Sequence, residues 1–139
     1  VICRNDVQES AVYHEEILAN AEAVLQGLKL PYRVVNVCTG DLGRGQAKKF
    51  DIETWMPSRE SFCETHSASK FYDFQARRMN LRYKDPNTKK NTFCHTLNNT
   101  VIASPRVLIP LMELYQNADG SITIPEVLRP YMSGRDIIK

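Results

Sequence analysis

Glu64 and Ser67, in the run Glu64-Thr65-His66-Ser67, and Arg106, some forty residues on, have side chains suited to a phosphorylated ligand. A carboxylate beside a hydroxyl can hold Mg2+ while the metal bridges phosphate oxygens. A guanidinium is a planar fork of donors that matches phosphate, and helix N-terminal amides favour the same anion. Arg106 lies near the start of Ala103–Gln116, where Val107, Leu108, Leu111, Met112, Leu114 and Tyr115 spread round most of a helical circumference, the pattern of a buried helix. An unpartnered cation there would meet the positive end of the helix dipole and a desolvation cost on the order of several kcal/mol. Arg106 therefore calls for an anion, either a carboxylate such as Glu64 or Asp73 or a phosphate. Pro105 suits the first turn, and Pro110 should disturb the helix one turn later.

These groups need elements to aim them. In a regular strand over Thr92–Thr100, Cys94, Thr96, Asn98 and Thr100 share one face and Phe93, His95, Leu97 and Asn99 the other. The first face is almost wholly hydrogen-bonding, as suits either a solvated outer surface or a binding surface. Glu64 and Ser67 are three apart, so a regular strand would send them to opposite faces, and a bulge or strand end is expected near Ser67. His66 shares Glu64's face in that regular strand, and a lone histidine is more readily a structural donor or acceptor than a ligand or a catalyst.

Upstream, Val12, Ile17, Ala21, Val24, Leu25 and Leu28 predict an amphipathic helix over Gln8–Leu28, and Arg33–Cys38 reads as a buried strand. Gly40–Gly45 is a turn or loop. Lys49–Pro57 and Ser61–Ser67 predict two strands whose short link favours antiparallel pairing. A short helix over Asp73–Asn80, a strand over Leu81–Tyr83 and a polar hairpin tip over Lys84–Asn91 follow. Trp55, Phe62, Phe74 and Phe50 read as core. Arg77 and Arg78 suit a solvated helix face, sheet packing or a place near RNA. The fold class is α+β, an antiparallel sheet with packing helices.

The chain has 139 residues, one domain's worth, with 42% hydrophobic and 24% charged residues. No apolar run is long enough to span a bilayer as a helix, which argues against a membrane protein. The formal charge of +2 gives only a faint lean toward an anionic partner. Cys3, Cys38, Cys63 and Cys94 form no zinc-like spacing and read as reduced core thiols. Val1 opens the chain with neither a signal peptide nor a basic presequence, from which a removed natural start is expected.

DIETWMPS, ETHSAS, DFQARRMNLRY, HTLNNTVIASPR and DGSITIPEVLRPYM, in that order and spacing, resemble the C-terminal half of the catalytic domain of the seryl-tRNA synthetases, which are class II aminoacyl-tRNA synthetases. The resemblance implies an antiparallel sheet flanked by helices. It also implies a ligase that activates L-serine with ATP and Mg2+ and passes the seryl group to tRNA(Ser). Matched residue to residue, Arg106 corresponds to the arginine of the third class II motif, which binds the γ-phosphate of ATP. Glu64 and Ser67 correspond to the pair engaging ATP and its magnesium, with Thr65 and His66 in the same ATP-contacting stretch. Asn98 and Thr100 correspond to positions facing serine. Residues 1–139 would thus form the C-terminal part of the catalytic core. The first and second motifs and the N-terminal tRNA-binding arm would be absent, leaving this polypeptide inactive alone and the full-length parent a homodimer. Lys70 stands where many members carry Asn, and Cys63 where Arg is usual, the only hints of an inactive paralogue kept as a structural or regulatory partner. The ETHS and LNNT forms look bacterial or organellar, implying the mitochondrial matrix or otherwise the cytoplasm.

Overall fold

A computed structural model describes all residues from Val1 to Lys139. The chain runs β1 (Ile2–Cys3), α1 (Val7–Gly27), β2 (Tyr32–Asn36), β3 (Lys48–Met56), β4 (Ser61–Tyr72), α2 (Phe74–Met79), β5 (Arg82–Lys84), β6 (Asn91–Phe93), β7 (His95–Asn99), α3 (Ser104–Tyr115) and β8 (Ile122–Thr123), then a 3-10 segment (Glu126–Met132) and β9 (Ile137–Ile138). Five strands form one sheet in the order β1-β7-β4-β3-β2, every neighbour antiparallel. The α+β expectation holds. No helix is long and apolar enough to cross a membrane.

The period-two pattern of β3 sorts the two faces of the sheet. Phe50, Ile52, Thr54 and Met56 point to one side, where α1 and α3 lie, and Lys49, Asp51, Glu53 and Trp55 to the other. Helix α1 is started by Asp6, whose carboxylate accepts from the amides of Gln8 and Glu9, and it buries a stripe of Ser10, His14, Leu18, Ala21 and Leu25. Leu18, Ala21, Leu25, Leu28, Leu30, Ile52 and Val107 make the core, so both helices cover the same face and leave the other free for polar side chains.

Several expectations change, the first at β2, which is an exposed edge strand and not a buried one. The strand expected over Thr92–Thr100 is two strands divided at the buried Cys94: β6 pairs with β5 in a ribbon of its own, and β7 joins the main sheet. Helix α3 is not buried all round, since only Val107 and Pro110 are fully covered while Leu108, Ile109, Met112 and Leu114 are exposed. Pro110 does not break it, because a proline inside a helix removes one hydrogen bond and packing of its ring can hold the axis. Trp55 and Phe62 are not core: they sit edge-to-face, 5.3 Å between ring centroids, on the uncovered face, whereas Phe50 stacks on His14 under α1. Cys3 and Cys94 are buried as expected, but Cys38 is exposed, and all four cysteines are free thiols.

Candidate functional site

The expected bulge is present and fixes the site. Register in β3–β4 runs Asp51↔Ser67 and Ile52↔His66, then jumps to Glu53↔Glu64, so Thr65 is the extra residue. Directly opposed residues of an antiparallel pair share a face. Ser67 therefore lies with Asp51, and Glu64 with Glu53, all on the uncovered face although Glu64 and Ser67 are three apart. The reorientation is anchored underneath. Thr65 Oγ1 lies 2.7 Å from Thr54 Oγ1, 2.8 Å from His66 Nδ1 and 3.3 Å from the Ile52 carbonyl. One arrangement meets all three contacts: Thr54 and His66 donate to Thr65, and Thr65 donates to Ile52.

His66 therefore does not share the face of Glu64, as a regular strand would have had it. The side chains of Thr65 and His66 hydrogen-bond on the helix-covered side, His66 only 1% exposed, while both residues still line the cavity of Glu64, Ser67, Thr100 and Arg106. Burial holds the His66 imidazole below its ordinary pKa, and in the neutral ring that donates Nδ1–H to Thr65, Nε2 is left without a partner.

Strand β7 adds Asn98, opposite Ser69 and exposed on the same polar face. The Thr100 amide donates to the Ser67 carbonyl at 3.2 Å, which carries the chain past Ser67 toward α3. That path brings Arg106 beside the bulged strand, its Nη1 3.2 Å from Glu64 Oε2. Of the anions considered for Arg106, Glu64 is the one it meets, since Asp73 is taken by Arg77 at 2.7 Å. The guanidinium is 56% exposed, so it is not entombed in an apolar helix and pays no large desolvation cost. The burial premise fails because α3 lies against the sheet along one side only. An exposed guanidinium paired to one carboxylate still has donors free for a second anion. No side chain caps the first turn of α3.

Several polar groups of this face were not singled out from sequence: Lys49, Asp51, Glu53, Ser69, Gln46 and Gln75. Lys49 Nζ lies 2.9 Å from Asp51, and Arg33 2.6 Å from Glu53. Burial works to lower the Lys49 ammonium, but the hydrogen bond and charge of Asp51 more than offset it and leave its pKa raised. Gln46 donates to Ser69 at 2.8 Å, and Thr96 to Gln75 of α2 at 2.7 Å. The signal was in the alternation Lys49-Phe50-Asp51-Ile52-Glu53, which sorts β3 by face. Lys70 and Cys63 fall on the helix side, Lys70 opposite Lys48 and Cys63 opposite Thr54. Neither departure therefore touches the polar face.

The donor set suits Mg2+. Glu64 and Ser67 offer hard oxygens side by side, and no cluster of three or more His, Cys, Asp or Glu forms an all-protein cage. Mg2+ is commonly held in this way, by one or two protein groups together with substrate phosphates.

An uncovered polar face on an antiparallel sheet, edged by a motif that sets an arginine over a carboxylate, is the architecture of a class II synthetase core. The chain belongs to that family: the model of the tRNA synthetase class II core domain (G, H, P, S and T) matches residues 1–115. Within the family it is similar to serine–tRNA ligases. It is 52% identical to that of Deinococcus radiodurans over 138 residues, 99% of this chain and 32% of that protein. Seryl-tRNA synthetase from Pyrococcus horikoshii, solved with ATP, superposes with a TM-score of 0.92 at 48% identity over 99% of this chain and 30% of that one. The cytoplasmic ligase of Naegleria fowleri, solved with AMP, gives a TM-score of 0.91 at 38% identity, covering 99% of this chain and 33% of that one. The chain thus spans about a third of the length of these relatives.

Proposed function

We propose that this chain supplies ATP, Mg2+ and serine contacts to a seryl-tRNA synthetase, which joins L-serine to ATP as seryl-adenylate with release of pyrophosphate and passes the seryl group to tRNA(Ser). The observation that carries this is the bulge at Thr65, which sets Glu64 and Ser67 on one face beside Arg106. The solved relative that binds ATP supports it. Arg106 binds and orients the outer phosphates through donors not used by Glu64. Asn98 and Thr100 orient serine beside them, Thr100 bordering the cavity of Glu64, Ser67 and Arg106. Mg2+, when bound, would be held by Glu64 and Ser67 and would neutralise charge on the phosphates. The protein has little proton transfer to perform: activation needs a carboxylate held in line with the α-phosphate and the departing charge stabilised.

The full-length protein acts as a homodimer in this reading. A bacterial or organellar origin, with the mitochondrial matrix or otherwise the cytoplasm as the site of action, is part of it. The inactive-paralogue alternative loses its motive, since Lys70 and Cys63 point away from the site. The test is serine-dependent ATP–pyrophosphate exchange by a full-length protein carrying this segment. Exchange with serine and not with alanine or threonine is expected; well-folded protein that gives none overturns the proposal.

A further inference from the structure

We infer that the β5–β6 ribbon together with α2 is a track for an RNA backbone, leading onto the polar sheet face. The inference rests on the reading that the protein charges transfer RNA, and it names the surface the RNA would use.

Charge is unevenly distributed along the chain. Residues 73–93 hold Arg77, Arg78, Arg82, Lys84, Lys89 and Lys90 against Asp73 and Asp85, a net +4, while the whole chain carries only +2. Both acids are engaged. Asp73 pairs with Arg77, and Asp85 accepts from the amides of Asn87 and Thr88 in the ribbon's turn. Lys84, Lys89 and Lys90 pair with no carboxylate, and all six cations are exposed.

The ribbon also has a defined outer side. Tyr83 turns toward the body, its hydroxyl accepting from the Asn5 amide at 3.3 Å. Arg82 and Lys84 alternate with it and share the outer side with Phe93 and Asn91, their cross-strand partners. Arg82 and Arg77 both lie over the Phe93 ring, at 4.4 and 4.8 Å from its centroid, and Arg78 lies over Phe74 at 3.6 Å. These planar groups are held flat and still charged, which suits phosphates and stacked bases together. Capped rings of this kind offer little bare apolar surface to a lipid. Gln75 on α2 holds Thr96 of the polar face, so the track ends where the site begins.

The test uses a full-length protein carrying this segment and a fluorescently labelled serine-accepting tRNA transcript, with binding followed by anisotropy across a salt series. The pairs Lys89→Gln/Lys90→Gln and Arg82→Gln/Lys84→Gln should each weaken binding by at least roughly tenfold and lower the slope of log K against log salt by about 1 to 2. Lys29→Gln, at the opposite end beside Glu126, should change neither. The tip lysines touch nothing that folding requires, so that pair keeps the test independent of stability. If both pairs bind as wild type does, or if Lys29→Gln loses as much, the track is refuted. It is also refuted if the pairs release the chain from phosphatidylserine vesicles while RNA affinity is unchanged. Mg·ATP binding, measured by calorimetry on the same variants, should stay at the wild-type value. A full-length protein that binds RNA through the ribbon but no ATP refutes the proposed site and leaves the track standing; the converse refutes the track alone.

Discussion

Replacement of Arg106 by alanine separates a phosphate-binding role from a structural one, because the two predict effects of different size. The side chain is 56% exposed and Glu64 38%, with 3.2 Å between charged atoms. A pair this open to solvent contributes roughly 0.2–1 kcal/mol at most. Against that loss, removing a cation from the first turn of α3 relieves an unfavourable dipole interaction of about 0.3–1 kcal/mol, and alanine is the better helix former. The net change in stability should stay within about 0.5 kcal/mol, a shift in Tm of roughly 1–3 °C for a chain of this size. A donor that stabilises charge on a phosphate in a transition state is worth far more, about 10²- to 10³-fold in rate, or roughly 3–4 kcal/mol.

The assay therefore pairs thermal melts of this chain with pyrophosphate exchange by a full-length protein carrying it. Arg106→Ala should melt with wild type and lose exchange by two orders of magnitude or more. Arg106→Lys should recover only part, because the ammonium keeps the charge but not the fork. A fall in Tm beyond about 8 °C would show that Glu64 is the true partner and the pair structural. Wild-type exchange in a folded Arg106→Ala protein would remove the phosphate role altogether.

Two further outcomes follow from the fold. Gly45 has φ +95°, and a Cβ there would lie 2.3 Å from the Phe74 ring, so Gly45→Ala should cost about 1–3 kcal/mol in a denaturant melt; a cost under about 0.5 kcal/mol would show that the loop yields. Burial lowers the pKa of His14, His66 and His95 in the folded chain, each from an ordinary 6.5. The unfolded chain then binds more protons below that value, so their contribution to stability is complete above about pH 6.5 and is lost as pH falls through the folded pKa values. Tm should drop between pH 7.5 and 5.5, the unfolding free energy falling by no more than about 4 kcal/mol per pH unit for three groups; a flat Tm over that range would show that the imidazoles charge without leaving the core.

Elements whose signal is local were legible. The helical period of α1, the alternation of β3 and the proline and polar turns around the ribbon are short-range patterns, and they place α1, β3, β4, α2 and α3 in order, although the buried stripe of α1 runs through Ser10, His14 and Leu18 and leaves Val12 exposed. What could not be read depends on which element covers which. Helix α3 carries apolar side chains round its circumference, and nothing in its own sequence states that α1 and the sheet occupy only one side of it. The burial of Arg106 was inferred from that circumference and fails with it, although its carboxylate partner Glu64 was among the candidates. Phe93 and His95 read as one strand because the break at Cys94 arises from a choice of partners, β5 for one half and β4 for the other.

The bulge shows how one local irregularity couples stability to the site. Without the extra residue, Glu64 and Ser67 would lie on opposite faces and no metal could engage both. The extra residue brings a side chain that must go somewhere, and here it goes inward, where a hydroxyl without partners would cost about 1–3 kcal/mol. Thr54, His66 and the Ile52 carbonyl meet that requirement. Thr65 and His66 thus act on the site from beneath: they hold the bulged register that positions Glu64 and Ser67 by giving the inward Thr65 hydroxyl its partners. The neutrality that burial enforces on His66 belongs to the same device, since an imidazolium inside the core would set its charge against burial and loosen the strand that carries both oxygen donors.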